Sequence, residues 1–290
     1  MFYALALGSM LAYALQHALL ARHAREMDGL SLGFYRNISF VVTLLPLLLW
    51  SSVSSILEVL AMWPQLLLAA LSGGASLGFT FTATRLLPVG IAQTGIRTTL
   101  TIMSAVLGWL FFEEAITPKT AMLVALVLAA SIALAFQKSH VTNLGKRTIA
   151  GTACALGAGT SIAISTIALT KITRATDALA SGYFWETSIA LAVLALIGAR
   201  YALTGHGLKR ISIKTFCTIT LFAWPTLVGT GFLALALDRG SVGIVTAIGS
   251  GTLIIVAILS WWMYGERLKI GQWICILTAT AGIAALRLVA

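Results

Sequence analysis

The sequence predicts an all-α membrane protein whose ten transmembrane helices form two inverted repeats of five helices. The first observation is composition: of 290 residues, 59% are hydrophobic and 10% are charged, whereas a typical soluble domain carries about 25% charged residues. The second is the mean hydropathy of +0.97, which comes from apolar runs of about 20 residues, the length that crosses a bilayer core. The third is that features of the first half of the chain return in the second half.

Charged and turn residues divide the chain into ten apolar segments. We predict transmembrane spans at residues 3–22, 30–50, 63–84, 88–111, 119–137, 148–169, 179–199, 215–237, 241–263 and 270–288. Pro64, Pro88 and Pro118 stand at the start of the third, fourth and fifth spans, where a missing backbone N–H costs little. The first span has no basic region before it and no small-residue cleavage site after it, so we interpret it as a retained helix and not as a signal peptide.

The two halves of the chain repeat each other at a nearly constant offset. The segment "GWLFFEEAIT" at 108–117 is echoed by "SWWMYGERLK" at 260–269, and "VGI" occurs at both 89–91 and 242–244. The aligned pairs are Glu114 with Glu266, Trp109 with Trp261, Phe112 with Tyr264, Asp28 with Asp177, and Gly33 with Gly182. We therefore predict a first five-helix repeat at residues 1–139 and a second at 140–290.

An odd number of spans in each repeat requires the second copy to be inverted relative to the first. Inverted repeats are typical of secondary transporters, which bind a substrate near the bilayer midplane, between the halves, and alternate its access to the two sides. The sequence contains no Walker-type glycine loop, so it gives no sign of a pump driven by ATP.

Three of these features together resemble the EamA repeats of the drug/metabolite transporter superfamily. They are Glu114 followed by "AIT", Glu266 followed by "RLK", and the run "ALDRGSVGIV" at 236–245, within two five-helix units that cover essentially the whole chain. The resemblance implies a transporter and not an enzyme. We predict a secondary active or exchange transporter that exports a small polar metabolite, an amino acid or a related organic ion, by alternating access.

Arg97 is the first candidate for substrate binding. It lies about nine residues into the fourth span, roughly 13 Å deep at 1.5 Å per residue, and polar residues surround it in sequence. An ionisable group at that depth is costly in lipid and suggests function. The planar guanidinium suits a carboxylate or phosphate, and the alternative is a structural ion pair inside the helical bundle.

Glu186 lies about seven residues into the seventh span and is the second candidate. It would bind a substrate amine, carry a coupling proton, or neutralise an arginine. Arg36 occupies the matching place in the second span, and for it we favour a structural role near the helix end. The remaining candidates for the lining of a central cavity are polar or aromatic residues within the spans: Tyr13, Gln16, His17, Gln93, Thr94, Thr101, Ser165, Trp224 and Ser250.

Each of these further candidates has a structural alternative. Serine and threonine in helices also bond to their own backbone carbonyls, and tryptophan is common at membrane interfaces.

The "GSG" at 249–251 falls opposite Arg97 in the repeat, where it is expected to weaken the ninth helix. We expect Glu114 and Glu266 to be structural acids that cap the helices following them.

No second histidine or cysteine stands at ligand spacing from His17, so we predict no metal ion and no cofactor. The bases are scattered between apolar segments, which excludes a nucleic-acid-binding face. The expected partners are the lipid bilayer, a small-molecule substrate, and a proton or a counter-substrate for coupling, with the chain as a monomer or homodimer in a bacterial-type inner membrane. Two alternatives are an intramembrane enzyme acting on lipid-linked substrates and a membrane partner subunit that transports nothing.

The positive-inside rule assigns an orientation. The loops after the odd-numbered spans carry twelve bases, against five on the other side, which places both termini outside; the family resemblance instead suggests cytoplasmic termini. The twelve are Arg22, Arg25, Arg85, Lys138, Lys146, Arg147, Arg200, Lys209, Arg210, Lys214, Arg267 and Lys269, and the five are Lys119, Lys171, Arg174, Arg239 and Arg287.

Overall fold

A computed structural model describes residues 1–87, 89–114, 117–137, 146–264 and 270–289, and every regular element in these ranges is a helix. Within them, seven segments are long and apolar enough to cross a membrane, and two shorter apolar helices accompany them. The predicted all-α membrane fold is confirmed. The side chain of Thr94, the side chains of Trp261 and Tyr264, and all of Glu266 lie outside the described residues.

Helices of the first half follow the predicted spans closely. They are α1 (Phe2–Glu26), α2 (Gly29–Thr43) with a 3-10 helix (Leu45–Trp50), α3 (Val53–Ala61), α4 (Trp63–Leu86), α5 (Val89–Phe112) and α6 (Pro118–Gln137). Residues 51–62 lie between the second and third predicted spans, so the short helix α3 is not among the predicted helices. Its Ser52 caps it by accepting a bond from the Ser55 N–H, as serine does at helix starts.

The second half contains the remaining helices. They are α7 (Lys146–Thr173), α8 (Ala178–Thr204), α9 (Ile213–Ala223), α10 (Pro225–Arg239), α11 (Val242–Ser250), α12 (Thr252–Tyr264) and α13 (Ile270–Val289). The predicted eighth and ninth spans are therefore each divided into two helices. The eighth span is interrupted at Pro225, which lacks the N–H that a continuous helix would need. The ninth span is interrupted at Gly251, so the expected weakening at "GSG" is confirmed.

Matching helices of the two halves begin with the same cap. Asp28 accepts a hydrogen bond from the Ser31 N–H at 3.1 Å at the start of α2, and Asp177 accepts one from the Ala180 N–H at 2.7 Å at the start of α8. A capping carboxylate satisfies one of the free N–H groups of the first turn. The aligned aspartates therefore mark equivalent helix starts.

The first helix of each half packs against the other half. Helix α1 lies against α10, α11 and α12, whereas α7 lies against α4 and α5. The approach of α7 to α5 requires a glycine, because a Cβ on Gly159 would lie 2.6 Å from the carbonyl oxygen of Ile96. Helices α6 and α13, the last of each half, pack against one another. The halves are thus interleaved, and the helices that cross between them surround the middle of the bundle.

Candidate functional site

Helix α1 has an apolar face and an interior polar face. Leu7, Leu11 and Leu15 form an exposed stripe at intervals of four residues. Tyr13 and His17 each lie two residues beyond a leucine of this stripe, about 200° around the helix at 3.6 residues per turn. His17 is nevertheless exposed. An exposed side chain on the interior face means that accessible space lies inside the bundle at this level.

A chain of three side chains joins α1, α10 and α8 in the middle of the bundle. The Thr230 hydroxyl donates to Glu186 Oε1 at 3.1 Å, and the Tyr13 and Thr230 hydroxyl oxygens lie 2.8 Å apart. Because a threonine hydroxyl has one proton, and that proton goes to Glu186, the Tyr13 hydroxyl donates to Thr230. Glu186 is only 4% exposed, so these bonds hold a buried carboxylate.

Gly229 of α10 faces the Tyr13 ring of α1. A Cβ on Gly229 would lie 3.4 Å from the Tyr13 ring, and the Ser9 hydroxyl donates to the Gly229 carbonyl oxygen at 2.8 Å. Small residues permit such close packing between transmembrane helices. Tyr13 and Thr230 therefore meet where α1 and α10 are in direct contact.

Arg97 extends from α5 towards the same interior face of α1. Its Nη2 lies 3.4 Å from His17 Nε2. Since arginine has only donors, His17 Nε2 is the acceptor, and the imidazole in this contact is neutral with its proton on Nδ1. Arg97 is partly exposed, so both side chains border the accessible space.

Arg36 of α2 completes the group of charged residues. Its guanidinium lies 5.0 Å above the centre of the Phe40 ring and is within electrostatic range of Tyr13, Glu186 and Arg97. We name the six residues together the central polar cluster: Tyr13, His17, Arg36, Arg97, Glu186 and Thr230. Arg36 and Thr230 were not among our candidates; the available signals were a charge well inside the second span and a hydroxyl between two glycines.

Three other predicted cavity residues lie in contacts between helices, outside the central polar cluster. Thr101 and Ser250, whose hydroxyl oxygens are 2.6 Å apart, are buried where α5 meets α11. Ser165 accepts from the Trp185 indole N–H at 2.9 Å and donates to the Ala69 carbonyl oxygen at 3.0 Å, which ties α7 to α8 and α4. These hydroxyls contact other helices and not the accessible space.

Three further residues were predicted to line the cavity, and they differ in exposure. Gln16 is 0% exposed, and neither polar atom of its side chain has a hydrogen-bond partner among the described residues. Gln93 is partly buried on α5, one turn before Arg97. Trp224 is 48% exposed at the junction of α9 and α10. None of the three makes a described hydrogen bond to the central polar cluster.

Glu114 connects the two halves at the face of the bundle where α1 begins, which we call the N-terminal face. Its Oε2 accepts from the Val242 N–H at 2.8 Å and from the Ser241 hydroxyl at 2.7 Å, and its Oε1 pairs with Arg174 at 2.6 Å. We expected Glu114 to cap the helix that follows it, α6, and this was wrong. It caps α11 of the other half.

The backbone conformation next to Glu114 explains why its side chain reaches α11 and not α6. Glu113 has a φ of 55°, a left-handed conformation that ends α5 and turns the chain. The Glu114 side chain then folds back over Gly108, where a Cβ would lie 2.9 Å from Oε2. The carboxylate consequently points at the start of α11, where the helix dipole favours a negative charge.

The opposite face of the bundle has its own contact between the halves. Asp28, at the start of α2, pairs with Arg200 of α8 at 3.1 Å, and the Lys209 N–H donates to the Ser31 hydroxyl at 3.0 Å. Partial burial raises the pKa of the Asp28 carboxyl, but the hydrogen bonds from Ser31 and the guanidinium of Arg200 outweigh it, so that the pKa is lowered overall. Asp28 is therefore ionised at neutral pH.

The described residues include no group of three or more histidine, cysteine, aspartate or glutamate side chains that would hold a metal ion. The side chains of the central polar cluster form two chemically different regions. One region holds a carboxylate supported by hydroxyls, and the other holds a guanidinium beside a neutral imidazole. The two regions are one helical turn apart on α1, about 5–6 Å between the Cβ atoms of Tyr13 and His17.

Comparison with known proteins gives one family and one fold. The sequence model of the EamA-like transporter family matches residues 1–136 and 149–288. No curated protein matches the sequence. Among solved structures 29 chains match, and one, described as "Crystal structure of protein", aligns over 98% of this chain and 96% of that chain with a TM-score of 0.77 and 15% identity. At that identity the likeness shows the fold alone.

Proposed function

The chain belongs to the EamA-like transporter family, and from that premise we propose that it is a secondary active or exchange transporter for a small polar metabolite. The metabolite in this proposal is an amino acid or a related organic ion, exported across a bacterial-type inner membrane by alternating access. The membrane-spanning architecture and the family match support transport in general; the substrate class, direction and membrane are our proposal.

The observation that carries the proposal is the central polar cluster. It combines residues from both halves: Tyr13, His17, Arg36 and Arg97 belong to the first, and Glu186 and Thr230 belong to the second. A site of this kind changes shape when the halves move relative to each other. Transporters with inverted repeats bind substrate at such an interface, near the bilayer midplane.

The cluster also supports a charged or dipolar substrate. The Arg97 guanidinium offers paired donors suited to a carboxylate, and the Glu186 carboxylate suits an amine or a proton. We propose that export is driven either by proton movement through Glu186 or by exchange against a counter-substrate. The protein would work as a monomer or homodimer in the bilayer, without nucleic acid.

Counterflow in liposomes tests the proposal. Purified protein is reconstituted, the liposomes are loaded with unlabelled amino acids and organic acids, and the entry of each labelled compound is followed. We expect at least one compound to accumulate. We expect Arg97→Gln to lower its initial rate by about 10- to 100-fold, because a charge-assisted hydrogen bond contributes roughly 1.5–3 kcal/mol.

Arg85→Gln is the matched control, because Arg85 is exposed in the last turn of α4, away from the cluster. It should transport like the unmodified protein. If no compound moves in counterflow or under an imposed proton gradient, the proposal is wrong. If transport occurs and Arg97→Gln leaves its rate unchanged, the binding role of Arg97 is wrong.

A further inference from the structure

Acidic residues are almost absent from the interior of the spans. The chain has nine aspartates and glutamates. Glu186 lies well inside a transmembrane helix, whereas the other acids of the described residues lie in short helix α3, at helix ends, or between helices: Glu26, Asp28, Glu58, Glu113, Glu114, Asp177 and Asp238. Among the described residues, Glu186 is therefore the one acidic side chain well inside a transmembrane helix.

Basic residues in the same region outnumber it. Arg36 and Arg97 are the eighth and ninth residues of α2 and α5. In the described part of the chain, neither has a carboxylate within ion-pair distance, and the ion pairs that are observed there lie at helix ends. Two arginines and one glutamate give the central polar cluster a net charge of +1.

The sign of this net charge does not depend on whether Glu186 is ionised or protonated. His17 adds nothing, because it accepts a hydrogen bond from Arg97 through Nε2 and is neutral in that contact. Protonation of Glu186 would raise the net charge to +2. The cluster is therefore positive in either state of Glu186.

Arg36 and Arg97 differ in their surroundings. Arg36 stacks on Phe40, and its Nε is buried without a hydrogen-bond partner among the described residues. It is the arginine within electrostatic range of the Glu186 carboxylate. Arg97 instead borders the accessible space together with His17. Arg36 is thus placed to balance Glu186, which leaves the charge of Arg97 uncompensated and reachable.

An uncompensated charge inside a bilayer is costly, and a counter-charge that enters the site relieves the cost. We infer that the transported compound is a small organic anion, with net negative charge, whose carboxylate pairs with Arg97. This inference rests on the proposed transport function and narrows its substrate class: a neutral zwitterion would leave the site positively charged, and a cation would be repelled.

Pairs of compounds that differ only in charge test the inference. Aspartate with asparagine, glutamate with glutamine, and lactate with lactamide each replace a carboxylate by an amide of nearly equal size. Each compound is tested as a competitor of counterflow, and as the labelled compound, in the liposomes described above. In every pair that binds, we expect the acid to compete at least about tenfold better than the amide, the effect of one charge-assisted hydrogen bond.

Substitutions then locate the preference. Arg97→Lys keeps the positive charge and should retain a preference for the acid, whereas Arg97→Gln should reduce it by about tenfold or more. Arg85→Gln should leave it unchanged. The membrane yield and the size-exclusion profile of each variant show whether it has folded, and the Arg97→Lys result stands even if Arg97→Gln does not insert.

The outcomes separate the two proposals. Equal or better competition by the amides, or transport restricted to neutral or cationic compounds, overturns the anion inference and leaves the transport function standing. If none of the six compounds binds, the net charge of whichever compound in the wider panel is transported decides in the same way. If nothing is transported, both proposals fail.

Discussion

The Glu186 carboxyl group shows how one acidic side chain is accommodated in the buried part of a transmembrane helix. Thr230 donates to it at 3.1 Å, Tyr13 donates in turn to Thr230 at 2.8 Å, and Arg36 supplies a positive charge within electrostatic range. A buried polar group that loses such partners costs more than the bond itself contributes. The residues of this group therefore depend on one another.

Glu186→Gln is expected to destabilise the protein. The amide can still bond to Thr230, but Arg36 loses its counter-charge, so we expect the free energy of unfolding to fall by about 1–3 kcal/mol. Thermal unfolding of the protein in detergent measures the change. Because the lost charge is negative, a carboxylate ligand should stabilise the variant more than it stabilises the unmodified protein.

Glu58→Gln is the control for this prediction, because Glu58 is an exposed acid on α3. It should unfold at the same temperature as the unmodified protein. Equal unfolding temperatures for the Glu58 and Glu186 variants would contradict a stabilising role for the Glu186 charge.

Some residues of the central polar cluster could be recognised from the sequence, and others could not. Arg97 and Glu186 were recognised because a charge deep in an apolar segment is visible in one dimension. Arg36 was assigned a structural role for its nearness to a helix end, and Thr230 gave no signal beyond a hydroxyl in a glycine-rich run. Their contact with the cluster depends on which helices are neighbours, which the local sequence does not contain.

At the scale of the helices, the ends of α5 and α11 act as one unit across the two halves. A single carboxylate, Glu114, satisfies the first N–H of α11 and the Ser241 hydroxyl, and also pairs with Arg174. Arg174 Nη2 in addition donates to the Gly240 carbonyl oxygen at 2.8 Å. This junction joins the ends of α5 and α7 to the start of α11 at the N-terminal face.

Glu114→Gln should weaken the junction. The variant loses an ion pair and a charged helix cap, and a lost cap typically costs about 0.5–2 kcal/mol. We expect a lower unfolding temperature, and faster modification of a cysteine introduced at Ser241 in this background, because the N-terminal face opens more often. Labelling of the cysteine by a membrane-impermeant maleimide measures the opening.

Glu113→Gln is a closely matched control, since Glu113 is the adjacent acid, is exposed, and has no described partner. It should leave the unfolding temperature and the labelling rate unchanged. Equal behaviour of the Glu113 and Glu114 variants would exclude the junction as a closing contact.

At the scale of the whole molecule, the interleaving of the halves determines which contacts must change during transport. Thr101 of α5 and Ser250 of α11 meet in the buried middle of the bundle, with their hydroxyl oxygens 2.6 Å apart. Gly243 lies one to two turns earlier on α11, where a Cβ would lie 3.2 Å from Ala105. This tight contact lies between Arg97 and the N-terminal face.

A cross-link between Thr101→Cys and Ser250→Cys should therefore lock the protein. With the three native cysteines replaced, oxidation is expected to form a disulfide and to abolish counterflow, and a reducing agent should restore it. Thr99→Cys with Ser250→Cys is the control pair, because Thr99 packs against Gly159 of α7 and should not form the bond. Full counterflow in the cross-linked protein would show that this contact does not move during transport.

The sequence by itself determined that the protein is helical and spans the membrane, approximately where its helices lie, and which charges lie within them. Helices form through hydrogen bonds between residues four apart, and span length follows from local hydropathy, so neither requires knowledge of distant residues. For the same reason, the glycines at 249–251 could be recognised as a place where a helix is interrupted. The division at Pro225 was not predicted.

Only the tertiary structure decided which of these groups meet. The pairs Tyr13 with Thr230, Glu114 with Val242, and Arg97 with His17 are separated by 217, 128 and 80 residues. Their contacts depend on the close packing of helices at small residues, which a pattern along one strand of sequence does not specify. The sequence therefore identified charges that need partners. The packing of α1 and α7 against the opposite halves determines which residues those partners are.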